Sequence, residues 1–313
     1  MSSGRLHVFT LLFLPFAFVG VANFIFDFNG LYGQDAHRYF QYVSELEAYI
    51  KNVKALGEFH WPILFPLAGL IVKSIFGINT ALALQLISAV SLGLGSVFLY
   101  KILKRQNSQS AFLFSLVFLV FCPQLSVASV LCMSDLFSMM WVVLAWYFYF
   151  EWKRNGKIIT ALNLTAVAAL ATISRYPAFL LVMIPLVVAF FNLLSKRRWW
   201  ALLMPVLFFV FCLPELALHH TVDSISGNHQ LNHWSISNWF KSSFETNDGS
   251  QEYRFANLIY ITYPFWHPAY FITGFGLAVF SILRFPFKNW SSILLISIVS
   301  YLLFVGGIEF QNR

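Results

Sequence analysis

A carboxylate followed closely by a histidine, an arginine and a tyrosine stands in GLYGQDAHRYFQY (30–42), where Asp35 precedes His37, Arg38 and Tyr39. Kept hydrated beside a membrane, such a carboxylate can accept a proton from a hydroxyl, while its neighbours hold a polar substrate. Asp is also a favoured helix N-cap, and capping and proton transfer are compatible roles for Asp35. A second acid, Asp135, lies in CMSDLFSMM. There either Ser134 or Asp135 caps a helix, or the acid marks a polar pathway at the end of a span, since burying it unpaired costs several kcal/mol, roughly. Arg175 and Tyr176 lie in ATISRYPAFL, with Pro177 opening the next apolar run. An arginine at such an edge needs an anion, which is either a protein carboxylate or the phosphate of a lipid-linked substrate held in bidentate fashion. Glu309, Gln311, Asn312 and Arg313 follow the last apolar run, either as a solvated tail or as a further phosphate or sugar contact. His60, beside Trp61 and Pro62, joins the expected substrate contacts.

Other groups carry weaker signals. His219, His220, His229 and His233 share one loop, and the last two are spaced four apart, as metal ligands on a helix face would be. With no HExxH and no cysteine pair beside them, they read as loop or substrate-contact residues. No cofactor is expected, and a divalent metal is the less favoured alternative. Cys122, Cys132 and Cys212 lie in or beside apolar runs without ligand spacing, which suits small buried hydrophobes. The tract TYPFWHPAYF (262–271) suits an interfacial aromatic belt or stacking on a glycolipid. No phosphate-binding glycine loop, dinucleotide fingerprint or nucleophile elbow is present, so the polar chemistry has no nucleotide partner of the soluble kind. A donor on the far side of a membrane is then expected to be linked to a lipid phosphate.

The elements that must position these residues are membrane spans. Of 313 residues 59% are hydrophobic and 11% charged, with a mean hydropathy of +0.70, against about 25% charged in soluble domains. The chain reads as an all-α polytopic membrane protein. The run at 6–26 is too long for a signal-peptide core and stays as a first span. Nine apolar runs can cross a bilayer, near 6–26, 79–100, 110–131, 135–150, 158–173, 177–194, 199–216, 258–283 and 290–308. A tenth stretch, 61–77, carries two prolines and Lys73. If it does not cross, Arg5, Lys101/Lys104/Arg105, Lys153/Arg154/Lys157, Lys196/Arg197/Arg198 and Arg284/Lys288 all fall on one side, with Glu151 as the one acid among them. That places 12 of the 20 basic residues together, the pattern expected inside. The net charge of +7 therefore sets orientation and does not indicate nucleic acid.

The expected organisation is one membrane domain, 1–313, with a first outer loop at 27–78 and a second at 217–257. In the first loop, 36–53 lacks Gly and Pro, and Tyr39, Tyr42, Val43, Leu46 and Ile50 recur at helical steps, which predicts a helix along the membrane surface. The piece at 61–77 is expected to re-enter on the same side.

Taken in order, GQDAHRYFQYV, LGEFHWPILFPLAGLIVKSIFGINTALALQLISAV, CMSDLFSMMWVVLAWYF, ATISRYPAFLLVMIP and GIEFQNR resemble the GT-C superfamily of integral-membrane glycosyltransferases. The likeness is greatest to the branch of protein O-mannosyltransferases and lipid A aminoarabinose transferases. The resemblance implies inverting transfer of a sugar from a polyprenyl-phosphate-sugar to a lipid, glycan or protein acceptor. Asp35 stands at the position of the general base, Arg175 at that of a phosphate contact, and Asp135 as a structural or assisting acid. Many relatives carry adjacent acids in the first loop, whereas Gln34 and Ala36 flank Asp35, so a metal-binding pair is not supported. Relatives also continue beyond the equivalent of Arg313, which fits a minimal member, a truncated product or a chain with a membrane protein partner. A bacterial inner membrane is preferred to an endoplasmic reticulum membrane. Two other classes stay open, a transporter of lipid-linked sugars and a non-catalytic assembly subunit. A transporter is expected to show repeated halves, and none is found.

Overall fold

The computed structural model describes residues 3–54, 59, 61–106, 110–220, 234–246, 249–259 and 292–307. Long apolar helices dominate, as required where no water can satisfy an open backbone. In chain order they are α1 (Ser3–Ile25), α2 (Gly33–Ile50), α3 (Leu64–Phe76), α4 (Thr80–Gln106), α5 (Ala111–Phe121), α6 (Pro123–Val130), α7 (Asp135–Asn155), α8 (Ile158–Ser174), α9 (Ala178–Ser195), α10 (Leu203–His220) and α11 (Ser292–Gly307). A hairpin, β1 (Ser243–Thr246) with β2 (Gly249–Glu252), follows a short 3-10 turn at Ile236–Phe240. Eight of the nine expected spans hold helix, and the ninth, 258–283, lies almost entirely outside the described residues. By length and apolarity alone, four described helices qualify as spans, or five if a bent pair counts as one.

That bent pair corrects one expectation. The run at 110–131 is not a single straight span: α5 and α6 meet at an angle of 62°. Pro123 has no N–H to donate and forces the preceding residue out of the helical region, and Cys122 accordingly adopts φ −96, ψ 97.

The two ends of the bundle differ in chemistry. At one end α1 finishes where α4 begins. The Asn23 amide donates to Gln85 Oε1 (2.9 Å), and Gln85 Nε2 donates to the Val130 carbonyl (2.8 Å). Gly30, at φ +81, fits between them, because a Cβ there would lie 2.6 Å from the Val130 oxygen. At the other end Arg105 and Arg154 pair with Glu151, and Gly4 lies beside Lys104. The helices α1 and α4 are thus antiparallel neighbours, and the segment between them leaves and returns at one end. At about 1.5 Å per residue the 13 residues of α3 fall well short of a bilayer core of about 30 Å. The charge pattern anticipated this return. Midway along α1 and α4, Gly93 permits a close crossing, since a Cβ there would sit 2.4 Å from the Leu12 carbonyl oxygen.

The surface helix α2 begins and ends earlier than expected and packs on α3 and α4 through Tyr39, Tyr42, Val43 and Leu46. Ile50, expected on the same stripe, is 61% exposed, because it falls in the last turn, beyond the end of the packed face. Glu47 ties α2 to α3 by accepting bonds from Lys51 (2.6 Å) and Lys73, and these hold its carboxyl down to about 2. A depressed carboxyl stabilises the fold above its ordinary value of 4.5, and that contribution is lost as pH falls toward 2. Tryptophan-fluorescence melting between pH 5 and pH 3 should therefore show a steeper loss of stability in the wild type than in Glu47→Gln. Equal slopes would refute the link.

On the described part of the second loop, side chains close the end of α11. The last carbonyls of a helix have no intrahelical partner. Here the Trp234 indole N–H donates to the Phe304 carbonyl (3.2 Å), Asn238 Nδ2 to Gly307 (2.9 Å) and Asn257 Nδ2 to Gly306 (2.9 Å). The Trp239 and Trp234 rings lie directly over Gly306 and Gly307, where a Cβ would clash.

Candidate active site at the Asp35 end

Asp35 is not the N-cap. The cap of α2 is Tyr32, with extended backbone and no side-chain bond, and Gly33 enters the helix at φ +77. Asp35 sits in the first turn, half-buried, where unpaired backbone N–H groups favour a negative charge. Its neighbours divide between surface and interior. His37 is exposed, and Arg38 lies with its guanidinium 5.0 Å from the Tyr42 ring centre while donating to Gln41 Oε1 (3.1 Å). Tyr39 is only 3% exposed. Its hydroxyl lies 2.8 Å from Ser134 Oγ, and burial pushes the phenol up to about 12, so it is a neutral hydrogen-bonding group at working pH. Through this bond Tyr39, expected as a substrate contact, also fixes α2 to the start of α7.

Ser134 precedes α7, and Asp135 is the helix's first residue. Neither side chain caps the helix: Asp135 Oδ1 accepts from Arg175 Nη1 at 2.5 Å. Arg175 ends α8 in extended conformation, φ −164 and ψ 117, and Pro177 caps α9 two residues later. The protein-carboxylate partner that the sequence left open for Arg175 is therefore present. Arg175 also lies within electrostatic reach of the Asp35 carboxylate and of the neutral phenols of Tyr39 and Tyr301, on α2 and α11. A guanidinium has five N–H donors in a planar fork, so a carboxylate on one edge orients the remainder.

The sequence reading missed Glu215. It lies in α10 directly after Pro214, is 5% exposed, and accepts from the Tyr176 hydroxyl at Oε1 (2.9 Å) and from the Ile63 backbone N–H at Oε2 (3.3 Å). Burial beside this carboxylate pushes the Tyr176 phenol upward, which keeps it a donor. Glu215 thereby joins the turn that carries Arg175 to the entrance of α3. An acid within an apolar run was the available signal, because such a residue is tolerated in a span only with partners. Glu215→Leu leaves a buried phenol and a buried backbone N–H without this acceptor, at a cost of about 1–3 kcal/mol each. The variant should unfold several degrees below the wild type, whereas Glu215→Gln, which retains one acceptor, should lose about half as much. Identical melting of Leu variant and wild type would show the network to be dispensable.

His60, Glu309, Gln311 and Arg313 lie outside the described residues, as do His229, His233 and the aromatic tract 262–271. Among the described residues no group of three or more His, Cys, Asp or Glu is placed to hold a metal ion.

Residues 60–218, about half of the chain, match the sequence family described as dolichyl-phosphate-mannose-protein mannosyltransferase. The chain belongs to this family. It is accordingly a GT-C member and an integral membrane protein. The matched range holds Asp135, Arg175, Tyr176 and Glu215, while Asp35 precedes it. Among solved structures, the fold is similar to the crystal structure of ArnT from Cupriavidus metallidurans bound to undecaprenyl phosphate, with a TM-score of 0.58 and 16% sequence identity. The alignment covers 98% of this chain and 60% of that one, so the GT-C chain described here spans about three fifths of its structural neighbour. No curated protein matches the sequence.

Proposed function

We propose that this chain is a membrane glycosyltransferase that moves a sugar from a polyprenyl-phosphate-linked donor to an acceptor hydroxyl on the outer face of the membrane. The observation that carries the reading is the convergence at one end of the bundle of a first-turn carboxylate, Asp35, with an arginine, Arg175, oriented by Asp135. Family membership and the neighbour's bound undecaprenyl phosphate support the donor class.

The chemistry divides between the two groups. Asp35 takes the proton of the acceptor hydroxyl from a distance of about 3 Å. The acceptor oxygen bonds to the anomeric carbon as the bond to the phosphate oxygen breaks, and its electron pair leaves with the phosphate. Arg175 stabilises the charge gathered on that leaving group, held in place by Asp135 so that little reorganisation is needed. His37 and Arg38 border Asp35 as contacts for polar substrate groups, and His60, Tyr176, Glu309, Gln311 and Arg313 belong to the same proposed set. The acceptor is a lipid, glycan or protein, and a second membrane protein is a possible partner. The membrane is a bacterial inner membrane, with the basic end inside.

The test is reconstitution of the full chain in liposomes with a polyprenyl-phosphate-sugar labelled in the sugar. Appearance of labelled acceptor together with free polyprenyl phosphate supports transfer. Label that crosses the bilayer while still attached to its lipid would replace this reading with transport.

A further inference from the structure

Opposite the Asp35 end, α7, α9 and the turn before α10 surround a cavity of about 310 Å³. Three cations line it: Lys153 of α7, and Lys196 and Arg198 in the turn between α9 and the 3-10 turn at Trp199–Leu202. Among the described residues no acid lines it. The nearest acid in sequence, Glu151, is taken up by Arg105 and Arg154. Arg198 donates to the Gly156 carbonyl (2.6 Å), which anchors its guanidinium at the cavity's edge.

One further feature separates this cavity from an ordinary basic surface. Beside Tyr149 and Asn192, the wall carries the apolar Val188 and Leu193 from α9, Ile293 from α11 and the largely buried Trp152 ring. A small free anion has no use for that wall, whereas a lipid does.

We propose that this cavity seats the phosphate headgroup of an anionic membrane phospholipid, with its acyl chains along α9 and α11. The cations offset the phosphate charge, and the apolar wall accepts the start of the acyl chains. Basic pockets between helices are suited to headgroups of this class, and Trp199 and Trp200, largely exposed beside the cavity, are suited to the lipid interface.

The full chain in a maltoside detergent should melt about 5 °C higher with phosphatidylglycerol present at a hundredfold excess over its dissociation constant. Equal concentrations of phosphatidylcholine or inorganic phosphate should produce little shift. The Lys153→Gln/Lys196→Gln double variant should lose most of the phosphatidylglycerol response. Native mass spectrometry gives an independent count, with phosphatidylglycerol retained by the wild type and absent from the double variant. An equal response to phosphatidylcholine, an equal response to inorganic phosphate, or an unchanged response in the double variant would each overturn the assignment.

Discussion

Asp35→Asn is expected to lower sugar transfer about 10³-fold, the scale of a lost general base. The asparagine keeps the shape and a carbonyl oxygen but cannot take a proton. Asp35 sits in the first turn of α2, with its packing neighbours Ala36 and Tyr39 already buried. The substitution should therefore leave melting nearly unchanged, apart from about 0.3–1 kcal/mol of lost attraction to the helix N-terminus. Donor binding, read as KM, should change less than kcat. Full activity in the mutant would remove Asp35 from the mechanism, whereas lost activity with an equally lowered melting temperature would assign it a structural role.

Arg175→Gln should cost about 10²–10³-fold in transfer, the range for removing one preorganised group from the developing charge. A second effect follows from its partner: Asp135 would keep its charge and lose its counter-ion. Asp135 is 41% exposed on its side chain, so water recovers part of that loss and the stability effect stays near the 0–1 kcal/mol of accessible pairs, roughly. Arg175→Lys preserves charge but loses the planar fork, and should fall between wild type and Gln. Asp135→Asn should weaken donor affinity more than it slows the chemical step, because Asp135 orients the arginine without contacting the reacting atoms. If the Arg175 variants retain wild-type kcat and donor KM, the phosphate-contact role fails.

The sequence disclosed the elements better than the pairings. Charge clustering placed 61–77 as a returning segment, since positive residues follow a simple side preference that survives without coordinates. Helical spacing in the first loop correctly marked Tyr39, Tyr42, Val43 and Leu46 as one buried face. It placed Asp35 at the wrong helical position, because Gly33 in the left-handed region starts the helix earlier than residue propensities suggest. The bend at Cys122 was also recoverable from Pro123, but a run of apolar residues masked the break. Pairings across large separations were not legible. Asp135 meets Arg175 over 40 residues and Ile63 meets Glu215 over 152, and no local pattern encodes which helix ends share a layer. Arg175 required an anion on energetic grounds, and the fold decided which carboxylate answers. Glu215 stood out only as an acid within an apolar run, because its partners, the Ile63 N–H and Tyr176 39 residues away, carry no sequence signature.

The return of the chain between α1 and α4 also sets an order of manufacture. A polypeptide threaded into the membrane from its N-terminus brings Asp35 and Tyr39 to their face of the bilayer with the first loop. Ser134 and Asp135 follow about a hundred residues later, then Arg175, then Glu215 with α10, and Tyr301 comes last with α11. Until α10 is made, the entrance of α3 lacks the Glu215 carboxylate that accepts from the Ile63 N–H. The contacts that join the first loop to the later helices therefore form only when most of the chain has been made.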